Sequence, residues 1–116
     1  VLLLSATLPP GSRAAAGDLD TSFDTDGKAT TDFFGADDLA YAVAIEADGR
    51  VVVAGQARNP VNGNIDFALA RYNADGALDS SFGQSGRITT DFLGGIDDAR
   101  ASAIQPDSKV VVAGFK

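Results

Sequence analysis

The chain has 116 residues, no Cys and no His, and nine basic against sixteen acidic side chains for a net charge of −7. Affinity for a nucleic-acid backbone comes largely from Lys and Arg displacing counterions, so this balance argues against such a partner. Without thiol or imidazole there is no disulfide framework, no Cys-ligated zinc and no Ser–His or Cys–His nucleophile pair.

Residues 1–16, VLLLSATLPPGSRAAA, differ from everything after them. An apolar run from Val1 to Leu8 is followed by Pro9-Pro10 and by Ala14-Ala15-Ala16 before Gly17. Small residues at those places match a signal-peptidase site, and the run is too short for the roughly 20 residues that span a bilayer. The segment is therefore expected to be the remnant of an export signal. It lacks a basic leading stretch and an initiating Met, so upstream residues are expected to be missing, or Val1 to mark an alternative start.

From Gly17 the chain repeats itself. Gly17–Ala57 aligns without gaps on Gly76–Lys116 at an offset of 59, and 22 of the 41 aligned positions are identical. Leu19-Asp20 meets Leu78-Asp79, Ser22-Phe23 meets Ser81-Phe82, Thr30–Phe33 meets Thr89–Phe92, and Val51–Gly55 meets Val110–Gly114. Duplication at such a period is the mark of a repeat architecture.

One unit reads as four strands. Tyr41–Glu46 alternates small and branched apolar residues, and Ala47-Asp48-Gly49 supplies a turn. Arg50–Gln56 is a β-branched run, closed by the polar stretch Asn59–Asn64. Asp66–Asn73 (DFALARYN) and Arg87–Phe92 (RITTDF) complete the unit, with Asp75-Gly76 and Gly83–Gly86 as connections. No segment sustains a helical period. The expected fold is all-β: antiparallel four-stranded meanders in tandem, a fragment of a β-propeller whose blades bury their faces against one another. A trefoil or open solenoid would use shorter repeats. On this reading residues 17–116 form a partial propeller region. It starts with a lone fourth strand (Lys28–Phe33), contains one complete blade at about 41–92, and stops two strands into the next. The chain is accordingly expected to be incomplete, with open strand edges that invite self-association.

The residues GDLDTSF, DTDGKATTDFFGADDLAYAVAIEADGRVVVAG and DFALARYNADGALDSSFG resemble the delta-60 repeat family of bacterial proteins. The resemblance covers residues 17–116. It implies tandem repeats forming a β-propeller in exported proteins, and it carries no established activity or catalytic residue. Asp24 stands where that pattern has Gly, Ala29 where it has a larger apolar residue, and Ser108 where it has the turn Gly.

Three acidic groups have functional and plain readings. Asp24-Thr25-Asp26-Gly27, with Asp20, has the outline of a calcium loop but lacks its closing Glu, and the second copy has Gly83 and Ser85 at the two acidic places. A solvated acidic turn is the preferred reading. Asp37-Asp38 and Asp97-Asp98 are adjacent carboxylates whose side chains would diverge in a strand, so a solvated, edge-blunting loop is preferred to an acid–base couple. Asp20/Asp79, Asp32/Asp91, Phe23/Phe82 and Phe33/Phe92 recur in both copies and are expected to serve turns and inter-blade packing.

No catalytic, cofactor-binding or metal-ligating residue is assigned, and no cofactor is expected. The expected function is a non-catalytic secreted or cell-surface repeat module, a scaffold or a binder of a protein or carbohydrate ligand, with Gln56–Asn64 as the candidate ligand loop. The alternative is the propeller part of an extracellular enzyme whose catalytic residues lie elsewhere.

Overall fold

The computed structural model describes residues 15–116. The signal-like segment therefore lies outside the described residues up to Ala14. Six strands follow: β1 (Asp38–Ile45), β2 (Val51–Arg58), β3 (Ile65–Tyr72), β4 (Arg87–Thr90), β5 (Asp98–Ile104) and β6 (Val110–Phe115). β1 to β4 form one antiparallel sheet in chain order, and β5 and β6 pair antiparallel in a second. The fold is all-β, a meander blade followed by half of another.

β1 begins at Asp38, earlier than the alternation suggests, because a bulge between Ala40 and Ala42 interrupts the period of two. Asp38, Leu39 and Ala40 pair with Ala57, Gln56 and Gly55 on one side of it, and Ala42 resumes opposite Ala54. The same bulge recurs in β5 between Ala99 and Ala101, opposite Gly114. Gly55 is required there: a Cβ would stand 1.9 Å from the Leu39 carbonyl oxygen, and at Gly114 it would stand 1.9 Å from that of Asp98.

The β1–β2 turn closes with Glu46 N–H on the Arg50 carbonyl at 2.8 Å and Gly49 N–H on that of Glu46 at 2.9 Å. Gly49 takes φ +87°. In the second copy Ser108 occupies that place and keeps the left-handed conformation at φ 63°, with the same two bonds from Gln105 and Ser108. Asp24 behaves alike at φ 46° where its counterpart Gly83 has φ 53°. The departures from the glycine pattern change the residue and keep the turn.

Alternation along β2 and β3 gives the blade two apolar faces. On one, Val53 and Ala70 lie opposite each other, as do Val51 and Tyr72, and Phe23, Ala29 and Phe33 from the preceding copy pack onto them. On the other, Val52, Ala54, Phe67 and Leu69 meet Ala99, with Ile104, Val110 and Val112 of the following half-blade around them. Phe23 and Val52 are almost wholly buried. Each such side chain contributes about 1.5–3 kcal/mol by leaving water. The blade is thus the middle layer of three.

Lys28–Phe33, expected as a strand, forms no ladder among the described residues. Its near-copy Arg87–Phe92 contains β4 because β3 lies beside it, with Thr90 opposite Phe67 and Arg87 opposite Ala70. The first copy has no described equivalent of β3. The segment is held instead by Ala29 and Phe33 in the first core, by the Thr31 hydroxyl on that of Tyr72, and by Arg87 donating to the Asp32 carbonyl.

Candidate functional site

Both ends of the sheet stack carry carboxylates, and their surroundings divide them into two kinds. At the β1–β2 turn, Glu46 is buried but fully compensated. Arg50 reaches it at 2.7 Å and Arg71, from β3, at 3.4 Å. Arg71 also holds Asp79 at 2.8 Å and lies over the Phe82 ring at 4.5 Å, a cation–π arrangement. Ser81 donates its hydroxyl and its N–H to Asp79 and, with Arg71, keeps that carboxyl below its ordinary value. Asp20 repeats the turn with Ser22, at 2.6 Å from the hydroxyl and 2.9 Å from the N–H. Asp32 and Asp91 each accept an N–H, from Gly35 and Gly94. Asp20, Asp79 and Asp32 are held within their turns in this way, while Asp91 also belongs to the second kind.

The second kind lies at the other end, where one blade hands over to the next. Asp66 is the second residue of β3, Asp91 follows β4, and Asp97 precedes β5. One carboxylate oxygen from each lies within 4.8 Å of the others. Backbone bonds build this corner: Ile65 N–H donates to the Gly95 carbonyl at 2.9 Å and Asp97 N–H to the Ile65 carbonyl at 2.7 Å. Asp97 is 0% exposed and Asp66 7%, whereas Asp91 faces solvent. One oxygen of Asp97 accepts the Phe92 N–H at 2.6 Å. The other, and Oδ1 of Asp66, are buried without a hydrogen-bond partner. Burial pushes the Asp66 carboxyl above its ordinary value, and the charges of Asp91 and Asp97 push it the same way. An all-carboxylate donor set of this kind suits a hard divalent cation.

The first copy holds two of the three. Asp38, counterpart of Asp97, accepts the Phe33 N–H at 3.0 Å, and Asp32 is the counterpart of Asp91. Burial raises the Asp38 carboxyl against the pull of that N–H, and the nearby Asp32 charge adds to the rise. The place matching Asp66 is Thr7, outside the described residues.

Asp97-Asp98 is not a solvated loop. Both residues are buried, because the corner they form lies under β3; Asp97 turns toward Phe92 and Asp98 pairs with Arg100. Asp37 is exposed and Asp38 half-buried, so those neighbours do part company. Asp24 and Asp26 are exposed while Asp20 is buried, and the three do not gather into one cluster of the kind formed by Asp66, Asp91 and Asp97. The expected ligand loop is shorter than Gln56–Asn64, since Gln56, Ala57 and Arg58 belong to β2. Asn59–Asn64 is a closed turn with Asn59 and Asn62 accepting the N–H groups of Val61 and Asn64. It sits at the same end as the carboxylate corner, where the Asn64 side chain reaches Gly95 N–H.

The acidic corner was not assigned from sequence. Its signal is Asp66, an acid inside the apolar strand IDFALARY, but Asp66 meets Asp91 and Asp97 only through the β3–β4 pairing and the crossover into β5. Among the described residues no helix is long and apolar enough to cross a membrane.

Residues 46–82 match a family model described as a domain of unknown function (DUF5122) beta-propeller. The matched stretch runs from the β1–β2 turn through β2 and β3 to the Phe82 that caps the second core. Together with the antiparallel meander, the match supports an all-β fold of the β-propeller kind. No curated protein and no solved structure matches the chain.

Proposed function

We propose that this chain is a non-catalytic scaffold or ligand-binding module of an exported or cell-surface protein, built from repeats of the delta-60 kind. The observation that carries the reading is the pair of apolar faces left on the outside of the stack. On one side β1 presents Val43 and Ile45, 57% and 69% exposed; on the other β6 presents Val111 and Phe115, 47% and 53% exposed. These are the same kind of surface that β2, β3 and β5 bury in the middle. Neighbouring apolar side chains left exposed on a sheet face offer a surface for another sheet to cover.

Covering is by further blades, from the same chain or another, and the loops at the blade ends are then left to contact ligands. Export is supported by the apolar run and Ala14-Ala15-Ala16 ahead of Gly17.

Fusing a duplicate of residues 58–116 after Lys116 tests the packing role. The duplicate supplies third and fourth strands beside β6 and a further strand pair to cover that sheet, so the thermal midpoint is expected to rise and binding of an apolar dye to fall. An unchanged midpoint, with the added unit unfolding separately, would contradict the reading.

A further inference from the structure

We propose that Asp66, Asp91 and Asp97 form a calcium site that fastens one blade to the next. The proposal goes beyond the packing role and does not depend on it.

Three features of the corner lead there. Oxygens within 4.8 Å of one another can be shared by one ion at Ca–O distances of about 2.3–2.6 Å. The two most buried members keep oxygens that nothing satisfies, Asp66 Oδ1 and Asp97 Oδ1. Buried polar atoms are ordinarily hydrogen-bonded, so bare carboxylate oxygens on two buried members of one cluster call for a ligand. Finally, no Lys or Arg among the described residues pairs with any of the three, although Glu46, Asp79 and Asp98 all have such partners.

The donor set fixes the ion class. Carboxylates without imidazole or thiolate favour calcium or magnesium over zinc or copper. Magnesium demands near-ideal octahedral geometry and gives up its water reluctantly, whereas calcium accepts six to eight oxygens in irregular arrangements. Solvent-facing Asp91 leaves room for water to complete the shell and gives the ion its way in. The residues span β3, the end of β4 and the approach to β5, where the Ile65–Ile96 bridge already joins the two units. Calcium there reinforces that joint.

Isothermal titration of the full chain with calcium chloride, paired with thermal melts in chelator and in calcium, tests the site. One ion per chain is expected, with Kd about 10⁻⁴–10⁻³ M, the range of extracellular calcium modules, and a higher midpoint in calcium. Asp66→Asn should weaken binding at least tenfold while keeping the circular dichroism of the parent. Asp91→Asn, on the solvent side, should do the same if Asp66→Asn does not fold. Asp32→Asn, in the first-copy pair, should leave binding unchanged, and magnesium should bind more weakly than calcium. No heat and no shift in midpoint up to about 10 mM calcium would overturn the proposal. So would an Asp66→Asn chain that binds as the parent does. A midpoint that rises on acidification or in Asp66→Asn, and is indifferent to calcium, would assign the corner to a shared proton and overturn it too.

Discussion

The Thr31 and Tyr72 hydroxyls are hydrogen-bonded to each other inside the first core, joining the leading segment to β3 across 41 residues of sequence. Both residues are buried, Tyr72 at 1% exposure. Removing one hydroxyl leaves the other buried and unsatisfied, which costs about 1–2 kcal/mol. Tyr72→Phe is expected to lower the urea midpoint accordingly and to speed amide exchange in Lys28–Phe33 more than in β6. An unchanged midpoint would mean the pair contributes nothing net.

The same tyrosine gives the fold an alkaline limit. Burial pushes its pKa above the ordinary 10.0, with the Thr31 hydroxyl pulling the other way and the Asp24 charge adding to the rise. A folded value above the unfolded one favours the protonated form. That contribution is complete below the unfolded value and is lost as pH rises through the folded one. Stability measured by urea is expected to fall above about pH 10 in the parent. The fall should be shallower in Tyr72→Phe.

Gly55→Ala should be among the most damaging single changes in the blade. The new Cβ would meet the Leu39 carbonyl oxygen at 1.9 Å and the Ala40 Cα at 2.9 Å, both backbone, so the bulge has to open. A loss of about 3 kcal/mol or more is expected, beyond ordinary overpacking. Circular dichroism melts would register it. Gly55 lies in the central β2, whereas Gly114 lies in the outer β6, so Gly114→Ala, with a like clash at Asp98, should cost less.

Ser108→Gly should stabilise. Ser108 holds φ 63°, a conformation that glycine reaches without a Cβ penalty, and the equivalent Gly49 already uses it. A gain of about 0.5–1 kcal/mol is expected by urea titration, reduced by the greater freedom of glycine in the unfolded chain. A loss would mean the serine turn carries no strain.

Much of the fold was legible because the information is local. Val51–Gly55 and Val110–Gly114 announce strands by composition, and Asp48-Gly49 announces the turn between them. The duplication then supplied the meander. What stayed hidden depends on neighbours in space. Lys28–Phe33 and Arg87–Phe92 are near-copies, yet only the second contains a strand, since pairing needs a β3 alongside. Asp97 looked like a surface acid until the crossover placed it beneath β3. The acidic corner needed three residues brought together by two separate connections, and no spacing rule for a single loop could have found it.

Sedimentation velocity over a range of concentrations reads out whether the open faces pack against other blades. Val43 and Val111 sit in the two open faces, and a charge at each should forbid their burial while leaving the exposed backbone undisturbed. The parent chain is expected to sediment as concentration-dependent oligomers, and the Val43→Glu/Val111→Glu variant as a folded monomer. A parent that stays monomeric at the highest concentration, indistinguishable from the variant, would contradict the view that these faces exist to pack against other blades.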